Sequence, residues 1–147
     1  LLYYFWNSAG TKWDGTPFTP GVGGYAQIFP KAMEAVGYDV EQFGLLTKLF
    51  VLAGTWAEFI LPALIVLGLF TRLAALGMIG FVALQSLTDL YGHGGIAHEG
   101  TLGAWFDRVP DALILDQRAF WVLCLAILVV KGAGAISADR LLFRNAP

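Results

Sequence analysis

The sequence predicts an all-helical integral membrane protein. The architecture it points to is a four-helix bundle, first helix truncated in this chain, with two long extracytoplasmic loops. Three observations predict this. The 147 residues are 57% hydrophobic, with a mean hydropathy of +0.66. Only 14% are charged, against about 25% in an ordinary soluble domain. Several apolar runs are also long enough to cross a hydrocarbon core of ~30 Å. Helices are the open-ended solution, because lipid cannot satisfy the edges of an open sheet. The net charge of −2 offers no basic field to nucleic acid. One cysteine cannot form an internal disulfide.

Residues 1–6 (LLYYFW) are apolar and run straight into polar NSAGTKWDG. As a helix they rise only about 9 Å. They are expected to be the last turns of a spanning helix. The first complete span is expected over 45–70, ~39 Å if fully helical, with a kink at Pro62. The second is expected over 73–90. Thr71 and Arg72 would form a two-residue turn between them. The third is expected over 117–134, ended or bent by GAGAIS. A final turn, DRLLF, would begin at Asp139 and dip Leu141, Leu142 and Phe143 into the bilayer surface. All of 1–147 then forms one transmembrane domain.

Two long connections, 12–44 and 91–116, lie on one side. The first holds PKAMEAVGY, a candidate interfacial helix with Ala32, Met33 and Val36 on one face. Arg72, Lys131, Arg140 and Arg144 crowd short segments on the opposite side. The positive-inside rule therefore places turn and tail in the cytoplasm and the long loops outside. Of the eleven acids, nine fall on the loop side. Trp13, Tyr25, Phe29, Tyr91, Trp105, Phe106 and Trp121 suit an outer aromatic belt.

Glu58 stands near the middle of the first complete span. A charge at that depth costs about 2.5–3.5 kcal/mol on insertion scales, so it must face inward, pair, or carry a proton. Counting outward from the turn puts Gln85 at the same depth, within reach of a shared hydrogen bond. Asp89 follows one turn further out on the same face. Arg118 opens the last span at the level of Asp89. Asn7 and Lys12 point into the same outer half. The expected cluster is Asn7, Lys12, Glu58, Gln85, Asp89 and Arg118. It reads either as a polar network joining helices or as a proton-carrying or quinone-binding pocket.

His93 and His98, with Glu99, are weak metal candidates. Their spacing completes no coordination set, and no metal is expected. Cys124 reads as a small packed hydrophobe, and no second cysteine offers dithiol chemistry. No histidine lies within a visible span to ligate haem. Gly54, Gly77, Gly80, Ala53 and Ala57 read as close-packing positions.

SAGTKW, AEFILPALIVLGLFTRLAAL, DQRAFW and GAISADRLL, in this order and spacing, resemble the DoxX family of small bacterial four-helix membrane proteins. The long outer loops depart from the family pattern. The resemblance implies an N-in, C-in bundle in the bacterial inner membrane. It also implies an association with membrane oxidoreductase systems such as thiosulfate:quinone oxidoreductase. Lys12, Glu58, Arg72, Asp116, Arg118, Asp139 and Arg140 match its recurring polar positions; none is assigned a catalytic role. The expected function is an accessory subunit of a membrane redox or energy-converting complex, with other membrane subunits as partners. Two alternatives are a quinone-interacting oxidoreductase component, with Trp56 or Phe59 flanking the ring, and a small transporter or lipid-binding protein.

Overall fold

The computed structural model describes residues 1–142; the expectations for Phe143 and Arg144 lie outside the described residues. Three helical segments are long and apolar enough to cross a membrane: Leu45–Leu67, Thr71–Gly92 and Leu113–Lys131. They correspond to the three expected spans, with shifted ends.

Helix α1 is Leu2–Gly10. The first connection then folds into a hairpin of β1 (Trp13–Asp14) and β2 (Thr16–Pro20), antiparallel, with Trp13 opposite Pro20. Two short helices follow, α2 (Val22–Ile28) and α3 (Pro30–Ala35). The expected amphipathic segment is therefore helical, with Met33 fully buried. Met33 packs with Tyr25 and Val51, so this helix closes on the protein at the start of the next span.

Helix α4 (Leu45–Leu67) continues through Pro62. Proline has no N–H to give the carbonyl of Glu58, four residues back. Beside that gap, the Trp6 indole donates to the carbonyl of Phe59 at 3.0 Å. The helix stops earlier than the apolar run suggests, because Gly68 adopts φ +66°. The N–H of Leu69 returns to Leu64 and that of Gly68 to Ile65, a Schellman closure. The turn is thus Gly68–Leu69–Phe70. Thr71 and Arg72, expected to form it, open helix α5 (Thr71–Leu87) instead.

Helix α5 runs on as a π-helical turn, Thr88–Gly92. The second connection carries a short helix α6 (Glu99–Leu102). A second π-helical turn, Leu113–Arg118, leads into α7 (Ala119–Lys131). Gly132, at φ +75°, ends α7 inside the expected GAGAIS segment. Helix α8 is Ala138–Leu142, with Leu141 and Leu142 exposed; it begins one residue before Asp139, whose carboxylate caps the start of α5 rather than its own turn.

Helix α1 packs on α4, α4 on α5, and α5 on α7. Phe5 closes the circuit, with its ring edge-on to Phe81 of α5 and Trp121 of α7. Around it lie Ala75, Met78, Val82 and Leu125, all buried. Of the expected belt, Tyr91, Trp105 and Phe106 are exposed, whereas Tyr25 is buried and Trp121 packs against Tyr4 and Phe5.

The tail is fastened to the α4–α5 turn. The Asp139 carboxylate accepts from the N–H of Phe70 at 2.6 Å and of Thr71 at 2.9 Å. In return the Asp139 N–H donates to the carbonyl of Gly68 at 2.8 Å. A Cβ on Gly68 would come within 2.6 Å of the Ser137 Cβ, so only glycine permits this contact. The Thr71 N–H, with the Phe70 N–H beside it, holds the Asp139 carboxyl below the usual carboxylate range. The folded value is depressed, so the fastening is complete above about pH 3.9 and is lost as pH falls through the lower folded value. Amide exchange over Asp139–Leu142, corrected for intrinsic rates, should accelerate in that acid window and, at pH 7, in Asp139→Asn. Equal protection in variant and parent would show that the carboxylate does not hold the tail.

Candidate functional site

Lys12 lies just past the end of α1, where its N–H still donates to the carbonyl of Ala9 at 3.0 Å. Its ammonium reaches α4 and meets both oxygens of Glu58, at 2.6 and 2.8 Å. A third contact, 2.8 Å, goes to the hydroxyl of Ser8, one turn back on α1. Both charged side chains are about 4% exposed. The next segment passes directly over the backbone of Thr11 and Lys12. The Gly21 N–H donates to the carbonyl of Lys12 at 2.9 Å. A Cβ on Gly23 would stand 2.7 Å from the carbonyl oxygen of Thr11. One on Gly24 would stand 3.0 Å from the Lys12 carbonyl oxygen and 3.0 Å from the Val51 Cγ1. Two glycines therefore let α2 lie against the backbone that carries Lys12.

A second ion pair joins the two π-helical turns. Arg118 donates to Asp89 at 2.5 Å and to the Ser86 hydroxyl at 3.0 Å. The Arg118 side chain is 2% exposed and Asp89 27%. A π turn shifts the face that its residues present, and such turns recur where side chains must be re-aimed. The depth count from the sequence correctly brings Asp89 and Arg118 together.

Between these pairs is a cavity of about 370 Å³. Lys12, Glu58, Gln85, Asp89, Gln27 and His93 supply its polar surface. Ile28, Phe29, Phe50, Phe81 and Leu84 supply apolar wall, and Ala53 and Gly54 leave room along α4. Gln85 and Glu58 line the same cavity. The two do not bond, because Lys12 takes both carboxylate oxygens. The Gln85 Oε1 is instead buried with no hydrogen-bond partner.

Asn7 is exposed, on the face of α1 away from the cluster, and Ser8 takes its place beside Lys12. Trp56 and Phe59 do not line the cavity. They stack with Trp13 and Phe18 of the hairpin, and the Trp56 indole donates to the carbonyl of Pro17 at 3.1 Å. The rings facing the cavity are Phe29, Phe50 and Phe81. His93, though exposed, lines the cavity with Nε2 3.2 Å from the carbonyl of Gln27, whereas His98 is away from it at the start of α6. Among the described residues, no three metal-ligating side chains come together. Asp116 accepts from the N–H of Ala112 at 2.9 Å and shapes the turn before Arg118.

A family model, DoxX, matches residues 1–88. The chain belongs to the DoxX family. The match spans α1, the folded first connection, α4 and α5, and so holds Lys12, Glu58 and Gln85 together. Comparison with curated proteins and with solved structures gives no match. In this DoxX protein Asp89 and Arg118 lie beyond the matched residues.

Removing one member of a buried pair leaves a charge unpaired, at a cost of about 3–5 kcal/mol, whereas replacing both by apolar groups is near neutral. Lys12→Met should therefore lower reversible unfolding stability in detergent by about that amount. Adding Glu58→Leu should restore most of it. A double variant no more stable than Lys12→Met would show that Lys12 acts through something other than this pair.

Proposed function

We propose that this DoxX protein is a membrane subunit of a redox complex and that its cavity holds the head of a quinone-like ligand. The observation that carries this is the buried, unpartnered amide oxygen of Gln85, a residue that lines this largely apolar cavity beside Glu58. The cavity falls within the range of about 300–1,000 Å³ usual for small-molecule sites. An amide both donates and accepts. Gln85 therefore suits a ligand whose polar atom is a carbonyl in one state and a hydroxyl in the other. Phe29, Phe50 and Phe81 supply ring faces for an aromatic head. A bound quinone supplies a two-electron, two-proton couple. The chain's own part is to seat the head, keep water out and hold the paired carboxylate of Glu58 beside it.

Phe50, Ala53 and Leu84 line the cavity and are also exposed on the outer surfaces of α4 and α5. Entry is then from the lipid side, between these two helices. Helix α1 acts as the fourth helix of the bundle, since Phe5 closes the packing circuit. The distribution of Arg72, Lys131 and Arg140 supports a cytoplasmic turn and tail in a bacterial inner membrane, with the folded connections on the periplasmic side. The single cysteine and the absence of histidine from the three spans favour partner subunits as the source of other redox groups.

Decylubiquinone should raise the unfolding temperature of the detergent-purified protein in a saturable way. Gln85→Leu, which keeps the fold, should weaken that binding about fivefold, the worth of one net hydrogen bond. Equal binding by parent and Gln85→Leu, or an equal response to dodecane, would refute the assignment. Mild-detergent extraction from native membranes should recover a larger assembly; a strictly monomeric protein would refute the subunit role.

A further inference from the structure

At the opposite end of the spans from the cavity, three cations from three segments surround one open depression of about 640 Å³. Arg72 comes from the start of α5, Lys131 from the end of α7 and Arg140 from α8. Among the described residues, the two salt bridges are Lys12–Glu58 and Arg118–Asp89, so none of these three cations is in an ion pair. The one carboxylate in the depression, Asp139, is engaged by the N–H groups of Phe70 and Thr71. The site retains a net positive charge.

The fold gathers these charges rather than letting them disperse. Gly132 gives Arg72 its path across the end of α7, since a Cβ there would stand 3.1 Å from the Arg72 Nε. The Asp139 fastening brings Arg140 to the same depression. Like charges held together favour an anion among them. The guanidinium forks of Arg72 and Arg140 match phosphate oxygens, and Lys131 adds a point charge. Immediately beside the cations, Leu73, Val130 and Leu141 are 71%, 75% and 81% exposed. A ligand that satisfies both features has an anionic head and apolar chains.

We propose that Arg72, Lys131 and Arg140 bind the phosphate headgroup of an anionic phospholipid, whose chains lie along Leu73, Val130 and Leu141. This site is independent of the cavity near Glu58. Basic pockets between spanning helices are suited to such headgroups, each basic residue being worth about fivefold in affinity at a lipid surface.

The test is native mass spectrometry of the full chain, titrated with phosphatidylglycerol or phosphatidylcholine carrying the same acyl chains. Phosphatidylglycerol should be retained in clear excess. Arg140→Gln should cut that excess about fivefold. It removes a side chain with no hydrogen bond in the described fold, since only the Arg140 backbone N–H bonds, to Ser137. The triple variant Arg72→Gln, Lys131→Gln, Arg140→Gln should abolish the preference. Arg72→Lys with Arg140→Lys should keep most of it, and Lys31→Gln with Arg108→Gln on the other side should leave it unchanged. Equal retention of the two lipids, or an unchanged preference in Arg140→Gln, would overturn the proposal. Displacement of the lipid by an equal concentration of glycerol phosphate would also overturn it, by showing a site for free phosphate.

Discussion

A charge inside an apolar span must have a partner, and the Lys12–Glu58 pair meets that demand. Glu58 sits on a helix apolar enough to cross a membrane, and the counter-charge it meets is on a segment that has already left α1. Bringing Lys12 back to α4 fixes where α1 ends and where Ser8 points. It also fixes how the next stretch of chain runs, because Gly21, Gly23 and Gly24 pass at backbone distance over Thr11 and Lys12. The hairpin and α2 are in this sense a cover folded onto an ion pair. The cavity is the space left beside it, bounded by residues that the same pairing holds still.

The two ends of the helices are held by different physics. Near the folded connections, two ion pairs and their hydroxyl partners cross between segments. In the half around Phe5, Met78 and Leu125 the contacts are apolar. Lipid is as apolar as these side chains, so shape complementarity rather than exclusion of water must hold that half together. The Asp139 fastening at the far end compensates with three hydrogen bonds that tie tail to turn.

Much of this was legible in the sequence because membrane thickness constrains it. Span length, the depth of Glu58 and the match of Asp89 with Arg118 all follow from counting residues at 1.5 Å each. What counting cannot supply is the direction of a side chain near a helix end. Asn7 and Ser8 are adjacent in sequence and about 100° apart on the helix, and only Ser8 faces Lys12. The two π turns were hidden because they alter phase without altering composition. Trp56 and Phe59 suggested a ring-binding wall, but the hairpin from the first connection claims them, a long-range contact with no local signal. His93 reached the cavity for the same reason. The turn at Gly68 was the reverse case: a glycine at the end of an apolar run signals a helix stop, and hydrophobicity alone carried the expected span three residues too far.

The cavity wall includes Phe50 and Leu84, which are also exposed on helices apolar enough to cross a membrane, the entry route proposed above. A molecule arriving that way is already dissolved in the bilayer. Its relevant concentration is a mole fraction among lipids, and its search is two-dimensional. A compound that partitions strongly into membranes can then fill this cavity even when its intrinsic affinity is weak, and aqueous dissociation constants will rank ligands partly by their solubility in lipid. Occupancy in a cell would follow the composition of the surrounding membrane more closely than any pool in solution.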